Sequence, residues 1–293
     1  MRTPRTTSRP RPVPLLVLAL VALLTVVPAL GSGSAQAASR WAPVAKATIH
    51  PGVQMYTKGA QCTGNFVFKD RRDRVYVGYA AHCAGTGEAT DTDGCKARSL
   101  PLGTRVRFAR GGSLVDGGET VGRGRLAYSS WQTMRRVGTT NRNVCAYNDF
   151  ALVRVGKAHR GKVNPTVPFW GGPTGLRTEG TAEGDEVFSY GDSSVRGGAA
   201  VLAPKQGTSG GVSGKGWSHL VLTLTPGVPG DSGSGFLDAE GRAFGTLSTL
   251  TIAPLAGSNG VGDLHRELAF ARRHSGIPGL RLVRGTAEFS PLL

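Results

Sequence analysis

Glycine sets the first limit on this chain: 44 of its 293 residues are Gly, and they fall between short β-branched and aromatic runs. A sequence interrupted this often by Gly, Pro, Asn and Asp reads as many short strands joined by turns. The 39% hydrophobic content supplies a core, so the chain is globular, not disordered. The runs are Asn65-Phe66-Val67-Phe68, Val75-Tyr76-Val77-Gly78-Tyr79, Arg105-Val106-Arg107-Phe108, and those over 149–155, 186–190, 220–224 and 243–247. They predict an all-β sandwich or barrel, with the Gly- and Pro-rich stretch 161–180 crossing between two halves. One helix is signalled at both ends: Asp263 caps it, Leu264, Leu268 and Ala271 share a face, Arg272, Arg273 and His274 suit its negative end, and Gly276 stops it. No other segment carries helical signals at both ends, and no repeat of fixed period occurs.

Arg2, Arg5, Arg9 and Arg11 precede an apolar run over 15–27, and Ala35-Gln36-Ala37 has the small-x-small form of an export-signal cleavage site. Residues 1–37 therefore read as a secretory signal, 38–45 as a short leader of the exported chain, and 46–293 as the folded domain. Pro28, Gly31 and Gly33 end the apolar run short of the roughly 20 residues a spanning helix needs, so no stable membrane insertion is expected. The expectation is a secreted, extracellular monomer. Without the four signal arginines the chain keeps 31 basic against 19 acidic residues, net +12, and anionic surfaces and polymers should attract it. The basic residues are scattered along the sequence without interleaved aromatics for base stacking, so they read as a solvated basic surface with no specific nucleic-acid site.

All four cysteines, Cys62, Cys83, Cys95 and Cys145, follow the signal, and export brings an oxidising milieu where disulfides persist. No C-x-x-C pair suggests zinc. The charged Asp70-Arg71-Arg72-Asp73 makes a hairpin of its two flanking runs, and pairing about a tip at 71–72 sets Cys62 opposite residue 81. A Cys62–Cys83 bond is then geometrically easy, and Cys95–Cys145 follows by elimination. Glu88, Asp91 and Asp93 gather oxygen ligands between Cys83 and Cys95, but not in EF-hand spacing; a solvated loop, with no metal or cofactor, is expected.

Three local motifs carry chemistry. Ala80-Ala81-His82-Cys83 ends the hairpin, Asn148-Asp149-Phe150-Ala151-Leu152-Val153 opens a strand, and Gly230-Asp231-Ser232-Gly233-Ser234-Gly235 precedes Phe236-Leu237. Acyl transfer by a serine needs a base for the hydroxyl proton, a carboxylate to orient that base, and donors for the oxyanion. Glycines beside Ser232 would let backbone N–H groups crowd toward one point. Gly191-Asp192-Ser193 repeats three letters of the serine motif, but Ser194 replaces the next glycine, and this copy reads as a turn. His50, His159, His219, His265 and His274 lack a comparable context. The order Ser232, Asp238, His265 formally suits an α/β-hydrolase, yet Ser234 stands where the nucleophile elbow needs glycine, and alternating strand–helix units are missing.

At these motifs, over roughly residues 46 to 276, the chain resembles the chymotrypsin-like (trypsin-like) serine peptidases, particularly their bacterial secreted members. The resemblance implies two antiparallel six-stranded β-barrels with a C-terminal helix, an active site in the cleft between them, and hydrolysis of polypeptides through an acyl-enzyme. His82 would act as base then acid, Asp149 would fix its tautomer, Ser232 would attack, and the N–H groups of Gly230 and Ser232 would hold the oxyanion. Asp231 would be buried against a positive group. No activation site with a following apolar Gly-Gly stretch is present, so an internal arginine is expected there. Ser248 matches the serine that supports the triad aspartate, residues 248–250 match the edge that pairs with substrate backbone, and Gly260 belongs to the same cleft.

Six residues before Ser232, where trypsin-like members carry a carboxylate, stands Pro226, followed by Gly227. A cationic side chain would find no partner there, so cleavage after uncharged residues is expected. Leu250 stands where glycine is common and would shorten the pocket; residues 277–293 run past the usual terminal helix. The rival expectation is a non-catalytic basic binding protein on the same fold.

Overall fold

A computed structural model describes Met1 and residues 41–87, 93–251 and 257–291, apart from the side chains of Leu250 and Thr251. The export-signal assignment and the start of the leader, with Glu88 and Asp91, lie outside the described residues.

The first half of the fold is built from β1 (Gln54–Thr57), β2 (Ala60–Thr63), β3 (Val67–Lys69), β4 (Val75–Tyr79), β5 (Arg105–Arg110), β6 (Glu119–Ser129) and β7 (Ala151–Val155). Two short helices, α1 (Ser130–Arg136) and α2 (Arg142–Tyr147), separate the last two strands. β2 and β3 are the halves of one bent segment. The first half pairs with β1, the second with β4, and the ring continues through β7, β6 and β5 back to β1. Six antiparallel strands thus close a barrel, which leaves few free edges for stray pairing. Alternation explains the inside: Val106 and Phe108 of β5 and Val121, Leu126 and Tyr128 of β6 are buried, whereas Arg105, Arg123 and Arg125 face out.

Within the crossing lies the short β8 (Gly175–Leu176), and after it come β9 (Glu183–Tyr190), β10 (Pro204–Ser213), β11 (Ser218–Thr223), β12 (Gly235–Asp238), β13 (Arg242–Thr251) and β14 (Ser258–Asp263). β9, β10, β11, β14, β13 and β12 form a second closed antiparallel ring, with β8 added in parallel to β13. Helix α3 (Leu264–His274) follows, its Asp263 carboxylate accepting from Arg266 N–H. The expected helix is found; α1 and α2 had no sequence signal at both ends because they last under two turns. α2 does have a local cap, since the Asn141 side chain accepts from Asn143 and Val144 N–H.

A buried cluster drawn from both barrels and α3, including Phe66, Phe150, Trp170, Phe188, Leu237 and Leu268, fixes the barrels against each other. Each such side chain contributes on the order of 1.5–3 kcal/mol when fully buried. The residues past α3 reinforce that joint. β15 (Arg281–Leu282) pairs with β3, Thr286 bonds Asn164 and Thr166, and Phe289 stacks edge-on against Phe188 at 5.4 Å. Among the described residues no helix is long and apolar enough to cross a membrane.

Candidate active site

His82 sits on a single 3-10 turn, Ala81–Ala84, immediately after β4. The neighbouring Cys83 is tied to Cys62 of β2, and the second disulfide joins Cys95 to Cys145. On the adjacent strand, Asp149 stands just before β7, which pairs with β4, and is buried. One of its oxygens, Oδ1, accepts the His82 backbone N–H at 2.8 Å; the other, Oδ2, accepts His82 Nδ1–H at 2.6 Å and Ser248 Oγ–H at 2.5 Å. The carboxylate carries no proton, so the ring proton belongs on Nδ1, which leaves the Nε2 lone pair free to act as a base. Burial would raise the Asp149 carboxyl, but the charge of His82 and the hydrogen bonds from His82 and Ser248 outweigh it and hold the group below its ordinary value. Burial likewise lowers His82, and the Asp149 charge and hydrogen bond overcome this to raise it above 6.5.

The Ser232 loop comes from the second barrel and is fastened to the first by its backbone. Gly233 N–H donates to Leu247 C=O of its own barrel at 2.7 Å, whereas Ser232 C=O accepts Thr63 N–H at 2.8 Å and Cys83 Sγ lies 3.9 Å from the same oxygen. These contacts bring Ser232 against the turn that bears His82. Among the described residues no hydrogen bond joins Ser232 Oγ to His82, and such bonds commonly tighten only with substrate bound. Gly230 has φ +96°, and a side chain there would strike Gln61 Oε1 and lie 2.8 Å from Ser193 Oγ. Its carbonyl is turned away to accept Thr63 Oγ1–H at 2.8 Å and Gln61 Nε2–H at 3.1 Å. Neither Gly230 N–H nor Ser232 N–H donates to an acceptor among the described residues. Two uncommitted backbone donors therefore flank the serine.

Asp231 is fully buried and has two cationic partners. Arg196 Nη1 is 2.8 Å from Oδ1 and 2.7 Å from Oδ2, Lys205 Nζ is 3.1 Å from Oδ2, and Val228 N–H donates to Oδ2 at 3.0 Å. Arg196 is the internal arginine that was expected. Lys205, itself fully buried, was not foreseen, because a lysine in a polar, glycine-containing stretch ordinarily reads as surface. Burial pulls its pKa down, partly opposed by Asp231. The segment 191–196 is a turn, as expected, and it has a further role. Ser193 donates to Pro229 C=O at 2.5 Å and caps a 3-10 turn, Ser194–Arg196, that props the Ser232 loop. Asp192 lies beside Asp231, and burial pushes its carboxyl up to about 6.

Behind Asp149 stands Glu267, the one buried carboxyl of α3 and another group sequence reading missed. Its Oε1 accepts Asp149 N–H at 3.0 Å. Burial and the nearby charges of Asp149 and Asp263 raise its pKa well above the ordinary value.

Pro226 and Gly227 form one wall beside the serine loop. Arg196 Nη2 donates to Pro226 C=O at 2.9 Å, and Asn259 Oδ1 accepts Gly227 N–H at 2.8 Å. Asn259 Nδ2 reaches back to Gly227 C=O at 3.3 Å and Thr249 C=O at 3.4 Å, so this buried amide spans the space between Gly227 and β13. Gly260 is in β14, opposite Thr249. The expectation about the Leu250 side chain lies outside the described residues.

No family model matches the chain, and no curated protein matches it. Among solved structures it is similar to Thermobifida fusca protease A, with 20% identity, 82% of this chain and 100% of that one covered, and TM-score 0.48. It is also similar to a Nocardiopsis protease, at 19% identity, 80% and 98% covered, TM-score 0.46. A third is Cellulomonas bogoriensis chymotrypsin, at 18% identity, 80% and 98% covered, TM-score 0.43. The two closed six-stranded antiparallel barrels with a C-terminal helix, traced strand by strand above, are the chymotrypsin-like double barrel.

Proposed function

We propose that the chain is an exported serine endopeptidase with His82, Asp149 and Ser232 as its triad. The observation that carries this reading is the pair of buried Asp149 and half-buried His82, bonded at 2.6 Å and backed by Ser248, set against a serine loop with two unused N–H donors. As Ser232 Oγ bonds to the substrate carbonyl carbon, its proton passes to His82 Nε2, and the carbonyl oxygen takes up negative charge between Gly230 and Ser232 N–H. Imidazolium then gives that proton to the departing amine as the C–N bond breaks. Water repeats the sequence on the acyl-enzyme and frees Ser232. Asp149 stays ionised throughout, holding the tautomer and stabilising the imidazolium.

Cleavage follows uncharged, small or medium apolar residues. Pro226 and Gly227 bring no charge, and the neutral Asn259 amide occupies depth that a long side chain would need. A buried Lys or Arg would lose its hydration without a partner. The two disulfides and the oxidising milieu they need fit an extracellular site of action. The test joins labelling to turnover. The wild type reacts with a fluorophosphonate, Ser232→Ala neither labels nor cleaves, and Ser193→Ala does both; a panel with Ala, Val, Leu, Phe, Lys and Glu before the scissile bond gives the highest kcat/KM for Ala or Val. An unlabelled wild type would make the chain a binding protein, and preference for Lys would overturn the pocket assignment alone.

A further inference from the structure

The first barrel carries a basic face that peptide hydrolysis does not use. Arginines that are dispersed in the sequence are brought into register by the sheet: Arg105 lies directly opposite Arg125, Arg107 opposite Arg123, and Arg125 opposite Arg154. Arg105, Arg125 and Arg154 therefore form one row across β5, β6 and β7, at the roughly 4.8 Å interval of neighbouring strands. Arg107 and Arg123 start a second row, which Tyr56 extends onto β1. Lys58, on the β1–β2 turn, joins both rows at a depression of about 360 Å³ lined by Tyr56, Lys58, Arg105, Arg107 and Arg123.

None of these six cations pairs with a carboxylate among the described residues. The acids at the nearest end are occupied: Glu119 holds Arg110, and Asp116 accepts Gly118 N–H. Like charges directly opposite in a sheet destabilise it. Three such pairs side by side are a cost to folding that solubility does not require, since net +12 already keeps the exported chain soluble.

We propose that this face binds a linear polyanion whose charges are phosphodiesters on a backbone without bases. Guanidinium groups match phosphate oxygens two at a time, and a row of them suits a chain of phosphates better than a single ion. Base stacking is not provided for, because Arg107 covers the Tyr56 ring at 4.1 Å and no other aromatic lines the depression. A bilayer is a poorer fit. The exposed Leu114 and Val115 at the β5–β6 tip are followed by the exposed Asp116, whose charge would face anionic lipid. Arg154 is five residues along β7 from Asp149, about 16 Å at strand spacing, so a polymer held here leaves the cleft open.

The experiment measures binding of a labelled abasic phosphodiester oligomer of about 12 units by fluorescence anisotropy over a salt series. It compares the wild type, the face variant Arg105→Gln/Arg123→Gln/Arg154→Gln, and a charge-matched control, Arg135→Gln/Arg142→Gln/Arg273→Gln, on exposed helix positions. None of the three face side chains bonds another described group, and the face variant should melt no lower than the wild type. Its affinity should fall at least about tenfold at low salt, and its log–log salt slope should flatten by about 2, three charges at about 0.7 each. The control should lose under about threefold, and an oligothymidylate of equal length should bind within about threefold of the abasic chain. Equal loss in the control would reduce the effect to net charge. Oligothymidylate binding at least tenfold tighter through the same arginines would make the face a nucleic-acid site. Face-dependent capture by phosphatidylglycerol vesicles, with the oligomer indifferent, would assign it to lipid. Each of the three overturns the proposal.

Discussion

Asp231→Asn should separate what the buried charge cluster does for stability from what it does for catalysis. The substitution leaves Arg196 and Lys205 facing each other with no carboxylate between them, both side chains nearly or fully buried. Removing one partner of a buried pair costs about 3–5 kcal/mol, because the remaining charge is stranded. For a domain of this size each kcal/mol lowers the melting midpoint by about 2–4 °C, so a fall of about 6–20 °C is expected. Adding Lys205→Met removes one stranded cation and should restore a large part of that loss. It should not restore turnover, since Asp231 also ties Val228 N–H and, through Arg196, the Pro226 carbonyl, and those ties hold the turn 228–231 in which Gly230 sits. Loss of one such oxyanion donor costs about 10²–10³ in kcat. Lys205→Met alone leaves both Arg196 contacts, and its kcat should stay within about threefold of wild type. Melts are read by circular dichroism in the Ser232→Ala background, which prevents self-digestion, and turnover in the active chain. An Asp231→Asn midpoint within 2 °C of its parent, or Lys205→Met as damaging as Asp231→Asn, would refute the assignment of Arg196 as principal partner.

Two further predictions concern buried carboxyls. Glu267→Gln keeps an acceptor for Asp149 N–H and no longer titrates, so it should retain near-wild-type kcat, and its stability should not decline through this group as pH rises above the ordinary carboxyl range. The wild type's should, because a carboxyl whose folded pKa is raised gives up stability as pH climbs from its unfolded value to its folded one. Glu267→Leu strands the Asp149 N–H at a cost of about 1–3 kcal/mol and should lower kcat as well. Asp192, pushed up to about 6, follows the same sign: its penalty is absent below pH 3.8, grows to pH 6, and is then constant at no more than about 3 kcal/mol. Asp192→Asn should therefore raise the melting midpoint at pH 7.5 and leave it unchanged at pH 3.5. A gain equal at both pH values would contradict the burial argument.

The parts of this molecule legible in the sequence are those whose signal is local. His82 beside Cys83, Asp149 opening a strand and the glycines around Ser232 are each read within six residues, and the α3 ends are marked by Asp263 and Gly276 within one turn of where they act. β10 was not legible, because Gly207, Gly210 and Gly211 make it resemble a loop; its strand character comes from pairing with β9 and β11 on either side. The partners of Asp231 were out of reach for a related reason. Arg196 and Lys205 lie 35 and 26 residues away in sequence, on separate elements, and only the closing of the second barrel puts them on one carboxylate. Glu267 shows how a local rule can point the wrong way: an acid in the first turn of a helix reads as a solvated partner of the helix dipole, yet the side chain turns inward beneath Asp149. Sequence states that a charge is present, and the fold decides whether it meets an opposite charge, as Lys205 of β10 meets Asp231 of the serine loop, or its own kind, as at Arg125. The ion cluster under Ser232 is closed by its own carboxylate, whereas the register of β5, β6 and β7 sets arginine beside arginine on the first barrel, the arrangement on which the proposed anionic ligand rests.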